Sequence, residues 1–310
     1  MSHHFVSVEG LIKRYPSPDK AEDLVVFQDV NIGIDKGEFV CIIGHSGCGK
    51  STILNVLAGL DKPSDGVVIM DGKEVSGPSP DRGVVFQNYS LLPWLTALQN
   101  VNFGVKARNS SWSKAEVEAH SLRYLEMVGL GETCRRKPSQ LSGGMRQRVS
   151  IARAFATQPK LLLLDEPFGA LDALTRGIIQ DELIKIWSAS QQTVFMITHD
   201  VDEAILLADR VLLMTNGPKA RVAESVKINI PRPRRRADII EHPAYYKIRN
   251  HLVNFLVERS ATLQGDSPDL GSKPLEVDPS KSEIRPVTTP STSSGENTHK
   301  PDVNFRRANV

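Results

Sequence analysis

The sequence lacks the features that mark membrane-spanning and secreted proteins. None of its apolar runs approaches the roughly 20 residues that cross a bilayer, and residues 1–5 lack the cationic and then apolar pattern of a secretory signal. Its three cysteines, Cys41, Cys48 and Cys134, form neither a metal-binding spacing nor an even disulfide set. We therefore expect a protein of the reducing cytoplasm.

The sequence also has little excess charge. It contains 38 Lys and Arg against 36 Asp and Glu, a formal net charge of +2, which is too small to favour nucleic acid as a partner. The basic residues are scattered except in one run, Arg232, Arg234, Arg235 and Arg236. Solvation is the default interpretation of this run, and a contact with anionic lipid or a regulatory anion is the alternative.

The sequence does contain the pattern of an α/β domain, and 40% of its 310 residues are hydrophobic, enough for a sizeable core. Apolar residues alternate with polar ones over residues 6–11 and 26–34, which predicts half-buried strands. Residues 38–43 are almost continuously apolar and predict a buried central strand. From Lys50 onward the apolar spacing is helical, so a glycine-rich loop joins a strand to a helix.

Residues from about 96 to 158 are predominantly helical in pattern, with a capping box at Ser113 and Glu116. We interpret them as a helical subdomain inserted in the α/β core. After it, predicted strands at 161–166, 193–199 and 210–214 alternate with helices from about Asp172 and Asp202. This alternation predicts a largely parallel sheet flanked by helices.

The C-terminal part of the sequence differs in composition. Residues 261–310 are rich in Ser, Thr, Pro and charge, with Phe305 as the only aromatic, so they bury too little surface to offset their ordering entropy. The sequence therefore predicts a folded domain over 1–260 and a disordered tail over 261–310. A solvated extension is the simpler interpretation of this tail, and a regulatory role is the alternative.

The glycine-rich loop matches the phosphate-loop pattern Gly-x-x-x-x-Gly-Lys-Ser. Its backbone N–H groups would surround phosphates, Lys50 would reach the β and γ oxygens, and Ser51 would bind magnesium. A chance glycine-rich turn is the alternative, but the strand before the loop and the helix after it suit the motif. The expected nucleotide-binding residues are Gly44, His45, Ser46, Gly47, Cys48, Gly49, Lys50, Ser51 and Thr52.

Two carboxylates follow the apolar run Leu161–Leu164 at the end of a predicted buried strand. Open α/β sheets bind their ligands at this end of their strands. We expect Asp165 to hold magnesium and Glu166 to polarise the attacking water, since phosphoryl transfer depends mainly on positioning and charge stabilisation. A structural salt-bridge pair is the alternative.

Between these two motifs lies Leu-Ser-Gly-Gly-Met-Arg-Gln-Arg, residues 141–148. In this order the three motifs resemble those of the ATP-binding subunits of ABC transporters, over about residues 5–260. Residues 170–172 resemble the loop that follows the catalytic glutamate, and residues 198–200 the segment of the switch histidine. The resemblance implies an ATPase with ATP and Mg²⁺ as cofactors, built on a P-loop NTPase core with a largely parallel central sheet, an N-terminal antiparallel β region and an inserted helical subdomain.

The resemblance also implies further site residues. Ser142, Gly143 and Gly144 open a helix, and in the family they meet the γ-phosphate bound by a partner subunit. His199 would contact the γ-phosphate and orient water with Glu166, although alone it would be an ordinary core or capping histidine.

Two further residues resemble site residues of the family. Gln87 resembles a glutamine that contacts magnesium or water, and a surface turn is the alternative. Tyr15 resembles the aromatic that stacks on adenine, or it is simply core. Arg146 and Arg148 are expected to be solvated or salt-bridged.

Residues 87–94 resemble bacterial importer subunits, especially those for nitrate, nitrite, cyanate, bicarbonate, sulfonates and taurine. This implies a peripheral protein on the cytoplasmic face of the plasma membrane, with integral permease subunits, a second ATPase subunit (a copy or a paralogue) and, indirectly, a solute-binding protein as partners. We expect nitrate or nitrite as solute, and contact with the permease through Leu91–Leu95, unless Leu92 and Trp94 are buried. A soluble non-transport ABC ATPase is the alternative from another class, but such proteins usually have two cassettes or coiled-coil arms.

Overall fold

The computed structural model describes residues 4–16, 23–169, 171–263, 271 and 273–281. A four-stranded antiparallel sheet, with the order β2-β1-β4-β5, is formed by strands from the N-terminal part of the sequence. A seven-stranded sheet, with the order β11-β10-β9-β3-β8-β7-β6, forms the centre. The strands are β1 (Val6–Tyr15), β2 (Leu24–Ile34), β3 (Phe39–Ile43), β4 (Asp65–Met70), β5 (Lys73–Glu74), β6 (Arg82–Val85), β7 (Leu161–Asp165), β8 (Thr193–Ile197), β9 (Arg210–Met214), β10 (Val222–Lys227) and β11 (Leu275–Val277).

Five neighbouring strands of this sheet are parallel to one another, in the order β6-β7-β8-β3-β9. Strand β10 runs antiparallel to β9. Helices connect them, as parallel strands require. The predicted fold class is therefore confirmed: an α/β domain with a largely parallel sheet and an N-terminal antiparallel β region. The helices are α1 (Lys50–Ala58), α2 (Ala97–Arg108), α3 (Lys114–Met127), α4 (Gly143–Ala156), α5 (Ala173–Ser190), α6 (Val201–Leu207), α7 (Arg236–Ile239), α8 (Tyr245–Asn254) and α9 (Ser260–Thr262), with a π-helical turn over Phe255–Arg259.

Strand β3 is buried on both faces, which explains its unbroken apolar sequence. Phe39, Cys41 and Ile43 join one core cluster, whereas Val40 and Ile42 join the other. Successive side chains of a strand point to opposite faces of its sheet, so a strand covered on both sides needs apolar residues at every position. The residues of β7 divide between the same two clusters.

The segment from 96 to 158 contains α2, α3 and α4, which pack on one another. The predicted capping box is present: the Ser113 N–H donates to Glu116 Oε2 at 2.7 Å, and Ser113 Oγ accepts from the Glu116 N–H at 3.3 Å. Thr96 and Gln99 form a second box at the start of α2. Within the described ranges, no helix is long and apolar enough to cross a membrane.

Strand β11 departs from the disordered tail predicted for residues 261–310. Residues 275–277 pair in parallel with β10, and Asn229 Nδ2 donates to Asp278 Oδ2 at 2.5 Å. The short Leu-Glu-Val segment covers an edge strand that would otherwise have unpaired backbone groups, and a composition averaged over fifty residues conceals it. The other tail residues beyond Leu263, except 271 and 273–281, lie outside the described residues.

Solvation, the default prediction for the arginine run, is wrong for two of its members, Arg232 and Arg234. Arg232 Nε donates to Asp209 Oδ1 at 2.9 Å, and its guanidinium lies 4.2 Å from the centroid of the Trp187 ring. Arg234 is only 5% exposed. Its guanidinium donates to four main-chain carbonyls, those of Ile205, Ala208, Ile228 and Ile230.

Candidate active site

The glycine-rich loop joins β3 to α1 in a conformation that depends on glycine. Gly49 has a φ of 97°, a region that L side chains rarely adopt. A Cβ on Gly49 would lie 2.7 Å from Val26 Cγ1 and 2.8 Å from Phe27 Cδ1. Glycine at this position therefore lets β2 approach the loop closely.

Lys50 is folded back into the loop. Its Nζ donates to the carbonyls of Gly44 at 2.7 Å and His45 at 2.8 Å, and it lies 3.7 Å from Cys48 Sγ. Burial raises the pKa of the Cys48 thiol, with Lys50 acting in the opposite direction. The loop thus holds one ammonium group beside a thiol that stays neutral near pH 7.

A cavity of about 400 Å³ lies against this loop. Glu166 and His199, which follow β7 and β8, also line it, as does Val26 of β2. The predicted residues that do not line it are His45, Cys48, Tyr15, Gln87, Asp165 and the Ser142–Gly144 segment. The lining residues from the loop and α1 are Gly44, Ser46, Gly47, Gly49, Lys50, Ser51 and Thr52.

Asp165 lies next to the start of α1. Ser51 Oγ donates to its Oδ1 at 3.2 Å. Burial raises the pKa of Asp165 and the nearby charge of Glu166 adds to the effect, whereas Ser51 and Lys50 lower it. Of the described residues, no group of three or more His, Cys, Asp and Glu could hold a metal by itself. A cation here would need oxygens from other sources, such as Ser51 and a bound phosphate.

Glu166 is the point where three sequence motifs meet. Gln87 Nε2 donates to its Oε2 at 3.2 Å, and His199 Nδ1 lies 3.6 Å from the same oxygen. The backbone of Glu166 has a φ of 44°, and its N–H donates to the Ile197 carbonyl at 3.1 Å. Strained backbone of this kind clusters at functional sites. His199 is 63% exposed at its side chain, so it is not an ordinary core histidine.

The segment that carries His199 packs on Glu203 and Gln180, two residues that sequence patterns did not single out. Thr198 Oγ1 and Gln180 Nε2 both donate to Glu203, which is 6% exposed. Burial raises the pKa of Glu203 to about 7. Asp200 caps α6 through the N–H groups of residues 202 and 203. The sequence signal for this contact was the acidic Glu203 in the first turn of the helix that follows His199.

The start of α4 does not line the cavity. Ser142 is its N-cap and accepts from the Met145 N–H at 3.2 Å. A Cβ on Gly144 would lie 2.5 Å from Thr175 Cγ2, so glycine permits close approach of α5. The buried Gln147 donates to the Pro167 carbonyl, which links α4 to the segment after Glu166. Ala170, in the predicted loop, lies outside the described residues.

Tyr15, Arg146 and Arg148 each contact other groups of the protein. Tyr15 is 40% exposed, and its hydroxyl donates to Asp61 Oδ2 at 3.1 Å, so it is not a core residue. Arg146 lies over the Tyr89 ring, and Arg148 donates to the Val128 carbonyl at 3.1 Å. Both side chains are half-buried, and each contacts a neighbouring protein group.

The segment Leu91–Leu95 is only partly covered. Trp94 is 66% exposed, whereas Leu91 packs against the main core. Phe103 of α2 is 61% exposed. With Leu95, it lines a groove of about 610 Å³ between α2 and α3. The alternative that Trp94 is buried is therefore wrong.

Comparison with known proteins places these features in context. A family model described as ABC transporter matches residues 27–169. The chain is 52% identical over 257 residues to the bicarbonate transport ATP-binding protein CmpD of Synechocystis sp., an alignment that covers 83% of this chain and 90% of CmpD. It is 49% identical to the nitrate import ATP-binding protein NrtD of Synechococcus elongatus, over 83% of this chain and 93% of NrtD.

A solved structure gives a similar match. The dimeric post-hydrolysis state of the ATP-binding cassette MJ0796, bound to ADP and Pi, superposes with a TM-score of 0.64 at 35% identity. The match covers 73% of this chain and all of that cassette.

Proposed function

Because the chain belongs to the ABC transporter family and is an ABC-type ATPase, we propose that it is the ATP-hydrolysing subunit of an importer for a small anion. One observation carries the proposal. Four segments distant in sequence meet at or beside the cavity, through the contacts of Ser51 with Asp165 and of Glu166 with Gln87 and His199.

We assign ATP binding to the loop Gly44–Thr52. The N–H groups of the loop and the N-terminus of α1 favour the phosphates. Lys50 exchanges the carbonyls of Gly44 and His45, which it contacts at 2.7 and 2.8 Å, for the β and γ oxygens. Tyr15 stacks on the adenine: its ring at the end of β1 is 40% exposed, and Lys13 Nζ lies 4.9 Å from the ring centroid.

The residues around Ser51 suit Mg²⁺. Ser51 Oγ and Asp165 Oδ1 are oxygen donors 3.2 Å apart, and Mg²⁺ in nucleotide sites takes one or two protein oxygens together with phosphate and water. Burial raises the pKa of Asp165. A nearby cation would act in the opposite direction and favour the charged form of this carboxylate. Ser51, Asp165 and Gln87 would hold the ion, which neutralises charge on the phosphates.

Glu166 then acts on the water that attacks the γ-phosphate. Its Oε2 faces both Gln87 and His199 at the cavity wall. Gln87 and His199 orient the carboxylate and the water between them, and the exposed imidazole of His199 reaches the γ-phosphate. Positioning and electrostatic stabilisation are what phosphoryl transfer requires.

The residues Ser142, Gly143 and Gly144 act on a second subunit. They are accessible at the start of α4 but do not line the cavity of their own chain. Their N–H groups and the Ser142 hydroxyl complete the ATP site of a facing ATPase subunit, either a copy or a paralogue. The dimeric cassette that this chain resembles has ADP and Pi bound, which supports this arrangement.

The membrane partners are permease subunits, which the chain contacts from the cytoplasmic face. Trp94 and the groove beside Phe103 form the exposed apolar surface that such a contact needs. Nitrate or nitrite is the solute that we propose, and bicarbonate is the second candidate. One similar protein is named for nitrate import and another for bicarbonate transport. Cyanate and the sulfonates, including taurine, are the remaining members of this group. A solute-binding protein delivers the solute to the permease.

The experiment is reconstitution of the full chain with candidate permease and solute-binding subunits. ATP turnover in liposomes is measured with nitrate, nitrite or bicarbonate outside. We expect at least tenfold stimulation by one solute, and Trp94→Ser to abolish both stimulation and co-purification. Tyr246→Ser, which removes a 59% exposed aromatic of α8, is the matched control. Turnover unaffected by every solute and every membrane partner would contradict a transport role.

A further inference from the structure

The main chain on both sides of His199 is attached to the buried carboxylate of Glu203. Thr198, the residue before His199, donates from its Oγ1 to Glu203 Oε2. The same Oγ1 accepts from the N–H of Asp200, the residue after His199, at 3.0 Å. Thr198 and Glu203 are both buried. One hydroxyl therefore closes a turn around His199 and joins that turn to α6.

The carboxylate is in turn fixed by α5 and by its own helix. Gln180 Nε2 of α5 donates to Glu203 Oε1 at 2.5 Å, so each carboxylate oxygen accepts one hydrogen bond. Asp200 Oδ1 accepts from the N–H groups of Asp202 at 2.9 Å and of Glu203 at 3.1 Å. The turn around His199 is thus anchored to two helices rather than to solvent.

This anchoring matters most for His199 because its ring has little packing to hold it. The side chain is 63% exposed, and its Nδ1 lies 3.6 Å from Glu166 Oε2. The Glu166 N–H donates to the carbonyl of Ile197 at 3.1 Å, so both reacting side chains are set by the end of β8. Neither Thr198 nor Glu203 lines the cavity beside the phosphate loop. Their influence on bound ATP therefore passes through His199.

We propose that Thr198 and Glu203 are positioning residues for ATP hydrolysis, which hold the main chain of His199 so that its imidazole faces Glu166. This rests on the proposed function, in which His199 contacts the γ-phosphate and orients water with Glu166. A misplacement of about 1 Å in such a site can cost about 100-fold in rate. Loss of the Thr198 hydroxyl therefore slows the hydrolysis of bound ATP and leaves its binding intact.

The test separates hydrolysis from ATP binding in the full chain. Single-turnover hydrolysis is measured with the protein in excess over ATP, and ATP affinity by titration with a fluorescent ATP analogue. Thr198→Val keeps the shape of the side chain and removes its hydroxyl, whereas Thr198→Ser keeps the hydroxyl. We expect Thr198→Val to slow hydrolysis at least tenfold with ATP affinity within twofold, and Thr198→Ser to stay within threefold in rate.

Thr193→Val is the matched control from the same strand. Thr193 is buried at the start of β8, and its Oγ1 accepts from the Gly37 N–H at 3.0 Å. This variant also deprives a main-chain N–H of its hydroxyl partner, but at the end of β8 away from His199. We expect its rate of hydrolysis to stay within twofold of the parent, whatever the change in its thermal midpoint.

Glu203 tests the same contact from the helix. Glu203→Leu removes both acceptor oxygens, whereas Glu203→Gln keeps one oxygen for the Thr198 hydroxyl. We expect Glu203→Leu to slow hydrolysis at least tenfold and Glu203→Gln to stay within threefold of the parent. An equal loss of rate in the two variants would contradict a role of the acceptor oxygen.

A double variant distinguishes positioning from a general structural effect. Because Thr198 acts through His199, adding Thr198→Val to His199→Ala should leave the rate within twofold of that of His199→Ala. A rate within threefold of the parent in Thr198→Val alone, or a loss in the double variant equal to the product of the two single losses, overturns the inference. An unchanged rate in His199→Ala would instead overturn the proposed function.

Discussion

Substitution of the buried Arg234 is expected to have a large effect on the stability of the fold. Its guanidinium donates to four carbonyls, two of them in the last turn and C-cap of α6. In Arg234→Met the apolar stem remains and the donors are lost, which leaves these carbonyls without that partner at about 1.5 kcal/mol each. The burial that lowers the pKa of Arg234 to about 10 is relieved, a gain of about 3 kcal/mol. We therefore expect a net loss of about 3 kcal/mol.

The assay is urea unfolding of the full chain followed by tryptophan fluorescence, since Trp187 lies next to Arg232 in the same region. The midpoint should fall with an unchanged slope. Arg235→Met is the matched control: this side chain is 78% exposed and has one ion pair, with Asp238 at 2.6 Å. Its change should stay within about 0.5 kcal/mol. Equal losses in the two variants, or a loss below about 1 kcal/mol in Arg234→Met, would refute the reasoning.

Three further predictions concern titration and the nucleotide site. Burial raises the pKa of Glu203 to about 7 from 4.5, so its contribution to stability is full below about pH 4.5 and is lost as the pH rises through 7. Glu203→Gln should flatten this part of the stability profile, by up to about 3 kcal/mol. Lys50→Ala should abolish ATP binding in equilibrium dialysis while the chain stays folded. Asp165→Asn should lower Mg²⁺-dependent turnover at least 100-fold in a coupled phosphate assay, because it removes a charged oxygen from the site; turnover within threefold of the unsubstituted chain would count against it.

Local sequence patterns predicted most of the fold because they record local requirements. The continuous apolar run at 38–43 reflects a strand buried on both faces, and the capping box at Ser113 reflects the orphan donors of one helix end. The family resemblance predicted that Gln87, Glu166 and His199 act at one site. They lie close together because parallel strands bring their carboxyl ends to one edge of the sheet.

Other features depended on packing between distant segments. The burial of Arg234 depends on α6, which ends 27 residues earlier at Leu207, so a cluster of arginines was naturally taken as solvated. Strand β11 pairs with the edge of β10 that β9 leaves open. The composition of the C-terminal segment does not reveal this pairing. The contact of Tyr89 with Arg146 depends on how the inserted helices pack against the core. Each depends on tertiary contacts that no single segment encodes.

The central claim is that two such subunits enclose ATP and that Glu166 drives its hydrolysis. The most direct measurement is the mass and nucleotide content of Glu166→Gln after size-exclusion chromatography with ATP and Mg²⁺, beside its steady-state turnover. We expect a dimer that retains ATP, almost no turnover, and a return to monomer when Ser142→Arg is added. A monomer with ATP present, or full hydrolysis by Glu166→Gln freed of contaminating ATPase, would contradict it.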